Sequence, residues 1–274
     1  MTVSDLDFVL NLTTFEGWTS TRLDFEELLH FNPEGSFIGE IDGEPVGMVC
    51  AVNYGGFGFI GNLIVQNMYR GLNFGKTLME IAMKHLLDSG TKSILLDGVP
   101  KAVSLYEQLG FRKISKSLRL EAVLTGHSSE HVRQMKLEDL DKISVSDTNH
   151  FGGCREKFLQ MRFSSFPEYC KILEIDEEIK GFIMGRRSGV SIKIGPWVMN
   201  NHSPKSENLL LALAESASGN TLKIGMLESN NEALKILKKY GFKETSYSWR
   251  MLYGENTEAT MSDHLYAICC PARG

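Results

Sequence analysis

The segment "YRGLNFGKTL", residues 69–78, lies between an apolar run that ends at Val65 and a helical pattern at about 74–88. The apolar run "FGFIGNLIV" predicts a buried strand, and the later apolar residues recur with the spacing of one helix face. A helix that starts directly after such a loop presents several unpaired main-chain N–H groups and a partial positive charge, which together favour a phosphate. The segment therefore predicts a strand, an anion-binding turn and a helix.

Four residues of this loop support phosphate binding. Gly71 and Gly75 have no side chain to block a close approach, and Arg70 and Lys76 add positive charge. The spacing fits neither GxxxxGK[ST] nor GxGxxG. Asn73 stands where a further glycine is expected, and asparagine tolerates left-handed backbone angles better than most residues. The alternative interpretation is a glycine-containing turn before an ordinary amphipathic helix.

The chain contains an internal repeat. Three pairs of segments are each separated by 134 positions: "SDLDFV" at 4–9 and "EDLDKI" at 138–143, "EIDGEPVG" at 40–47 and "EIDEEIKG" at 174–181, and "IGNLIV" at 60–65 and "IGPWVM" at 194–199. A fourth pair, "LGFRKISKSLRL" at 109–120 and "YGFKETSYSWRM" at 240–251, is separated by 131. A constant offset over separated segments indicates two copies of one structural unit. The second copy has lost three residues between positions 65 and 109 of the first, the window that contains the loop.

Two units imply two domains, predicted at residues 1–125 and 130–274, with the polar run "TGHSSEH" as the linker. The second unit opens with "HVRQM" at 131–135, which has almost no counterpart in the first. The first sheet is therefore expected to be one strand short or to take an edge strand from another segment. Since an exposed edge invites pairing, both a monomer and a homodimer stay open.

Composition excludes several functional classes. The 274 residues carry a formal net charge of -5, which argues against general nucleic-acid binding. No apolar run approaches the roughly 18 to 20 residues that a membrane span needs, and no signal peptide is recognised. Five cysteines without CxxC spacing predict reduced thiols in a cytoplasmic protein and no metal site. No role is predicted for the adjacent pair Cys269 and Cys270.

Within the first unit, the pattern predicts two helices, a strand hairpin, the central strand, the loop and its helix, another strand and a short helix. The segment "FRKISKSLRLEAVL" at 111–124 is predicted to close the unit as paired strands. The predicted fold class is α+β, an α/β/α sandwich with a mixed, mostly antiparallel sheet and helices on both faces.

The order of elements, together with two motifs, resembles the GNAT acyl-coenzyme A N-acyltransferases, and does so twice in tandem. "VQNMYRGLNFGKTLM" is similar to their [QR]xxGx[GA] loop, with Arg70 first, Asn73 in place of the middle glycine and Gly75 last. "SLYEQLGF" at 104–111 is similar to their second signature, a tyrosine ahead of "LGF". The resemblance covers residues 4–120 and implies an N-acetyltransferase that uses acetyl-CoA.

The resemblance also implies a site. Coenzyme contacts are expected from the end of the central strand and from the loop: Leu63, Ile64, Val65, Arg70, Gly71, Leu72, Asn73, Phe74, Gly75 and Lys76. Tyr106 is the expected general acid that protonates the leaving thiolate, the alternative being a packing aromatic. Asp97 is a candidate base or a helix cap. Trp18 and Asn62 are candidate acceptor contacts, the alternatives being a structural role for Trp18 and the end of strand pairing for Asn62.

The second unit lacks the loop glycines and has Leu237 where the first has Tyr106. It is therefore predicted to be a degenerate GNAT-like domain that binds no coenzyme A and shapes or covers the acceptor site. The expected reaction is direct attack of a small-molecule primary amine on acetyl-CoA in a ternary complex. The alternatives are an acyl-CoA-binding sensor or scaffold without turnover, and an acetyltransferase of protein lysines or N-termini.

Overall fold

The computed structural model describes residues 1–255 and 262–274, which contain eight α-helices and twelve β-strands. The helices are α1 (Leu6–Phe15), α2 (Arg22–Phe31), α3 (Phe74–Asp88), α4 (Val103–Gln108), α5 (Leu140–Phe151), α6 (Glu156–Ser165), α7 (Ser206–Ala217) and α8 (Asn231–Lys239). The strands are β1 (Ser36–Ile41), β2 (Glu44–Asn53), β3 (Gly58–Val65), β4 (Ser93–Gly98), β5 (Arg112–Val123), β6 (Val132–Gln134), β7 (Lys171–Ile175), β8 (Glu178–Ser188), β9 (Ser191–Met199), β10 (Thr221–Leu227), β11 (Lys243–Gly254) and β12 (Leu265–Ala267). None of the helices in this described part is long and apolar enough to cross a membrane.

All twelve strands form one sheet, in the order β1-β2-β3-β4-β11-β5-β10-β9-β8-β7-β6, with β12 paired to β9. The pairs β3–β4 and β9–β10 are parallel and the other pairs are antiparallel. The predicted fold class, a mixed and mostly antiparallel sheet in an α+β fold, is confirmed. Strand β6 has no counterpart in the first unit, so β1 is an edge strand and the first half is one strand short, as expected.

The closing strands of the two units are exchanged. Strand β5 pairs with β10 of the second unit, and β11 of the second unit lies between β5 and β4 of the first. The prediction that residues 111–124 form paired strands is wrong, because β5 is a single twelve-residue strand whose two neighbours both come from the second unit. The exchange makes the two sheets continuous.

Each unit has a place where two parallel strands separate. Pairing between β3 and β4 stops at Ile60 and Leu96, although β3 continues for five more residues. Pairing between β9 and β10 likewise stops at Ile194 and Ile224. The second gap holds β12, which pairs with β9, and the N–H of Ile268 donates to the carbonyl of Gly225 on β10. Chain segments thus occupy the second gap, whereas the first lies beside the cavity described below.

Helices cover both faces of the sheet. One apolar core lies under α1, α2, α5 and α6 and therefore contains residues of both units. The other two cores lie under α7 and α8 and under α3 and α4. Because the central core is shared between the units, α1 and α2 lie close enough to the second unit to contact it.

Candidate active site

A cavity of about 890 Å³ opens where β3 separates from β4. Its walls come from the end of β3, the start of α3, helix α4, the connection between α1 and α2, strands β5 and β8 to β11, and the C-terminal residues 269–273. A volume of this size is within the range of pockets that bind small molecules and cofactors. The cavity is therefore a product of both units.

The loop before α3 lines one end of the cavity. Gly71 has φ 78° and Asn73 has φ 66°, so Asn73 adopts the left-handed conformation that the sequence predicted it would tolerate. Asn73 precedes the first helical residue, and its side chain caps no N–H group. In the part of the chain that the structure describes, the atoms nearest to a Cβ at Gly75 would be side-chain atoms of Leu105 and Val65, both at 3.8 Å. Steric conflict with the protein thus does not explain Gly75, whereas close approach of a ligand would.

Five of the loop residues predicted to bind the coenzyme line the cavity: Arg70, Gly71, Asn73, Gly75 and Lys76. The other two do not. Leu72 is exposed, and Phe74 packs edge-on against Tyr69 beside the apolar core of α3.

Leu63, Ile64 and Val65 form the free edge of β3 and line the cavity. A bulge at Asn62, which has φ 54°, precedes them, because the pairing of β2 with β3 shifts register between Met48 and Cys50. Among residues 1–255 and 262–274, the edge of β3 that faces β4 has no strand partner beyond Ile60. Main-chain N–H groups at such an edge can bind an extended ligand in place of a strand.

The side chain of Arg70 is held in place by contacts with other residues of the protein. Its Nε donates to the carbonyl of Val65 at 2.8 Å, and its guanidinium forms an ion pair with Glu16. Lys101 contacts the same carboxylate at 2.8 Å. Burial alone would raise the pKa of Glu16, but the hydrogen bonds from Lys101 and Arg70 hold it below its usual value. Glu16 therefore presents a carboxylate beside the basic loop.

Tyr106 lies on α4, lines the cavity and is 7% exposed. Its ring packs over Gly98, where a Cβ would lie 2.7 Å from the ring, and against Phe111. Burial raises the pKa of Tyr106 to about 12, so the hydroxyl keeps its proton at neutral pH. This protonation state is the one that a proton donor needs.

Asp97 on β4 is among the residues that line the cavity, but its side chain is buried and is bound by two arginines. Its Oδ1 accepts from Nε of Arg250 at 2.5 Å, and Oδ2 accepts from Ser117 at 2.9 Å and lies 3.4 Å from Arg119. Burial alone would raise the pKa of Asp97, but Arg250 and then Arg119 hold it below its usual value. This environment argues against the predicted roles of base and helix cap, because the carboxylate oxygens are already bound to donors on β5 and β11.

The connection between α1 and α2 spans the cavity. Trp18, the predicted acceptor contact, lines the cavity and packs against the central core. The next residue, Thr19, accepts hydrogen bonds through its carbonyl from Lys193 at 2.7 Å and Ser188 at 3.3 Å, both in the second unit. Asn62, the other predicted contact, lines the cavity on the opposite side, and its amide lies 3.7 Å from Sγ of Cys50.

The C-terminal segment is the part of the site that sequence reasoning missed. Residues 268–272 run from the second gap to the first: the carbonyl of Ile268 lies over Gly195, and that of Ala272 lies over Gly61. Tyr54 donates to the carbonyl of Arg273 at 2.8 Å and anchors the end of the segment. A signal was present in the sequence, since Gly61 and Gly195 are equivalent positions of the repeat.

This segment brings Cys269 and Cys270 to the cavity wall, although no role was predicted for them. A hydrogen bond from Cys269, and then the charge of Arg273, lower the pKa of Cys270, whereas burial raises that of Cys269. Of these two neighbouring thiols, Cys270 is therefore the one that favours the thiolate.

Comparison with known proteins identifies both units. The sequence profile of the acetyltransferase (GNAT) family matches residues 6–111, and the profile of an acetyltransferase (GNAT) domain matches residues 143–267. Together the two profiles match well over half of the chain. The chain therefore belongs to the GNAT acetyltransferases and carries two GNAT domains in tandem.

Individual relatives agree with this assignment. The holothin acyltransferase of Pseudoalteromonas sp. (strain SANK 73390) is 25% identical over 246 residues, covering 89% of this chain and 83% of that protein. The N-acetyltransferase YitH of Bacillus subtilis (strain 168) is 23% identical over 263 residues, covering 91% and 89%. A crystal structure from Pyrococcus horikoshii superposes with a TM-score of 0.85 at 23% identity, covering 100% of this chain and 94% of that one. The GCN5-related N-acetyltransferase of Sphaerobacter thermophilus has a TM-score of 0.69 at 14% identity, covering 93% and 94%.

Proposed function

We propose that this acetyltransferase moves an acetyl group from acetyl-CoA to a primary amine of a small molecule, by direct attack in a ternary complex. One observation carries the proposal: the open gap between β3 and β4 lies between an anion-binding helix start and the buried hydroxyl-bearing Tyr106. The equivalent gap of the second unit is filled by β12.

The residues of the first unit fit acetyl-CoA. Pyrophosphate would lie at Gly71, Asn73 and Gly75, where the first N–H groups of α3 and the charge of Lys76 favour an anion. The pantetheine arm, with its amide groups, would follow the unpaired edge at Leu63, Ile64 and Val65. Arg70 holds the loop to the end of β3 through the Val65 carbonyl.

In the proposed reaction the neutral amine attacks the thioester carbonyl. Main-chain N–H groups of β3 stabilise the charge that develops on the carbonyl oxygen. A C–N bond forms, the C–S bond breaks, and the departing sulfur takes the proton of the Tyr106 hydroxyl. The proton that the amine releases restores Tyr106. In this mechanism Asp97 positions Arg250 and Arg119 and does not transfer the proton.

We assign coenzyme binding to the first domain, residues 1–125, and acceptor-site shaping to the second, residues 130–274. The second domain contributes Arg186, Lys193 and Lys223 to the cavity wall, and Leu237 occupies a core position where the first domain has Tyr106. Because β5 and β11 are exchanged, each domain needs the other to complete its sheet.

The composite walls of the cavity favour a small acceptor over a protein. The connection between α1 and α2, the C-terminal segment and the second domain all line it. An acceptor lysine or N-terminus on a protein would need an open groove. A sensor without turnover remains the second candidate, and it is favoured by the strong pairing of Asp97, which leaves no free acid on β4.

The test is a melting-temperature screen of amines in the presence of CoA, followed by turnover assays with acetyl-CoA on the amines that stabilise the protein. A ligand that binds the folded state raises its stability by mass action. We expect acetyl-CoA to stabilise the protein and at least one small amine to be acetylated. Stabilisation by acetyl-CoA without transfer to any amine would support the sensor, and transfer only to protein lysines or N-termini would support the other alternative.

A further inference from the structure

Three basic side chains stand next to one another on three adjacent strands of the second domain. Arg186 on β8 is directly opposite Lys193 on β9, and Lys193 is directly paired with Lys223 on β10. All three line the cavity. We call these three residues the cationic row.

The two outer members of the cationic row are neutralised within the protein. Arg186 forms an ion pair with Asp24 of α2 at 3.0 Å, and Lys223 forms one with Glu121 of β5 at 3.6 Å. Lys193, between them, donates to the carbonyl of Thr19 at 2.7 Å. Within residues 1–255 and 262–274, no carboxylate lies within 4.0 Å of its ammonium group.

This arrangement is unfavourable for the protein by itself. Like charges directly opposite each other in a sheet destabilise it, and partial burial of an ammonium without a carboxylate adds a desolvation cost. Burial, and after it the charge of Arg186, lower the pKa of Lys193 to about 8. A bound anion would relieve both penalties.

We propose that the cationic row binds an anionic group of the acceptor, so that the substrate is an amine that also carries a carboxylate or a phosphate. Lys193 supplies the free positive charge, and Arg186 and Lys223 flank it. This inference deepens the proposed acetyl transfer and rests on it.

The row is separate from the part of the cavity assigned to the coenzyme. It lies on β8 to β10, whereas the pyrophosphate loop lies between β3 and α3, and three strands separate β3 from β10 in the sheet. The connection between α1 and α2 joins the two ends, since Glu16 binds Arg70 and Thr19 binds Lys193. The acceptor would therefore lie under this connection, with its anion at Lys193 and its amine toward Tyr106.

The turnover test uses matched acceptors with acetyl-CoA: β-alanine against β-alaninamide, and O-phosphoethanolamine against ethanolamine. The wild type should prefer the charged member of at least one pair, and which pair responds distinguishes a carboxylate from a phosphate. Lys193→Gln should lower the ratio of kcat/KM for the charged acceptor to kcat/KM for the neutral one by about 10- to 100-fold, because a charge-assisted hydrogen bond is removed. Most of the loss should be a higher KM for the charged acceptor. The KM for acetyl-CoA should stay unchanged, and Lys193→Arg should retain the preference.

A binding test needs no turnover. Succinate and inorganic phosphate, each added with CoA, should raise the melting temperature of the wild type more than that of Lys193→Gln. Lys142→Gln, a change at an exposed lysine on α5 outside the cavity, should behave as the wild type. Equal protection of wild type and Lys193→Gln by both anions would overturn the inference, as would a charged-acceptor preference that persists in Lys193→Gln.

The pH dependence provides a further check. Lys193 is protonated below its pKa of about 8, so protection by succinate should be strongest below pH 8 and decline above it. Lys193→Arg should extend the protection to higher pH. The other charged groups around Lys193 are Arg186, Lys223, Asp24 and Cys270, and Cys270→Ser should leave the protection intact. If it abolishes the protection, the anion depends on the Cys270 side chain rather than on the cationic row, and the inference is wrong.

The two proposals fail in distinguishable ways. Anion protection that depends on Lys193, with no acetyl transfer to any amine, would contradict the proposed function but still support an anion site at Lys193. Acetyl transfer to neutral amines, with no preference for charged acceptors and no Lys193-dependent protection, would contradict the inference but still support the transferase.

Discussion

The carbonyl of Ala272 lies so close to Gly61 that a Cβ on Gly61 would be 2.3 Å from its oxygen. Gly61 is at the point where β3 leaves β4, and Ala272 belongs to the C-terminal segment that crosses from the second domain. The absence of a side chain at one position of the first domain thus allows the last residues of the chain to form part of the cavity wall.

Gly61→Ala is expected to displace the C-terminal segment, because main-chain atoms cannot move aside as a flexible side chain can. Acetyl transfer should fall more than about tenfold, with a stability loss of about 1–3 kcal/mol. Steady-state kinetics and urea unfolding measure the two effects. Gly39→Ala is the control, since its Cβ would meet only the side chain of Leu78 at 3.3 Å. Equal activity of the two variants would contradict the prediction.

Tyr106→Phe is expected to lower kcat by about 10²- to 10⁴-fold, the usual contribution of a positioned proton donor. The KM values should change little, since the ring and its packing on Gly98 are retained. Because the pKa of Tyr106 is raised to about 12, loss of its proton should not limit activity below pH 10. Unchanged turnover at saturating substrates would leave Tyr106 with a packing role only.

Asp97→Asn is expected to destabilise the protein by about 3 kcal/mol, because the buried Arg250 and the partly buried Arg119 would lose their carboxylate. The pKa of Asp97 in the folded protein is below its ordinary value of 3.8, so its contribution is present above pH 3.8 and is lost as pH falls through the folded value. Denaturant unfolding at pH 7 and below pH 4 should show the difference between wild type and variant shrinking in acid. Asp7→Asn, at an exposed ion pair with Arg22, should cost less than about 1 kcal/mol.

Glu16→Gln is expected to tighten acetyl-CoA binding about three- to tenfold. The Glu16 carboxylate binds Arg70 and Lys101 at the end of the cavity assigned to pyrophosphate, where it repels an anionic ligand. Isothermal titration calorimetry measures the change, which should diminish at high salt. Weaker binding by the variant would mean that Glu16 instead positions Arg70 for the ligand.

Cys270 is expected to be alkylated by iodoacetamide faster than an ordinary thiol at neutral pH, because the hydrogen bond from Cys269 favours its thiolate. Peptide mass spectrometry would follow the modification, and acetyl-CoA with an acceptor should protect Cys270 by filling the cavity. Cys269→Ala should slow it. Exposed Cys154 provides an internal control whose modification should be unaffected by ligands.

Local features of the site followed from the sequence. The loop glycines and the helical spacing predicted a strand, a turn and a helix at residues 58–88, and Asn73 takes the left-handed backbone that its short polar side chain tolerates. The placement of Tyr106 on a short helix also followed from its motif. These features depend on backbone geometry and on neighbours within a few residues, which a local pattern records.

Only the tertiary structure decided how the two units combine. The closing strands β5 and β11 are copies of one another, so their similar patterns cannot indicate which half each one completes. Asp97 is bound by Arg250, 153 residues away, and that pairing exists only because β11 lies beside β4. Likewise, Lys193 meets the first domain through Thr19, 174 positions earlier in the chain. The sequence by itself determined two related acetyltransferase folds and a glycine-containing turn before α3 in the first of them. Strand exchange and the course of the C-terminal segment determined the walls of the cavity, because long-range pairing brings together residues that no local pattern connects.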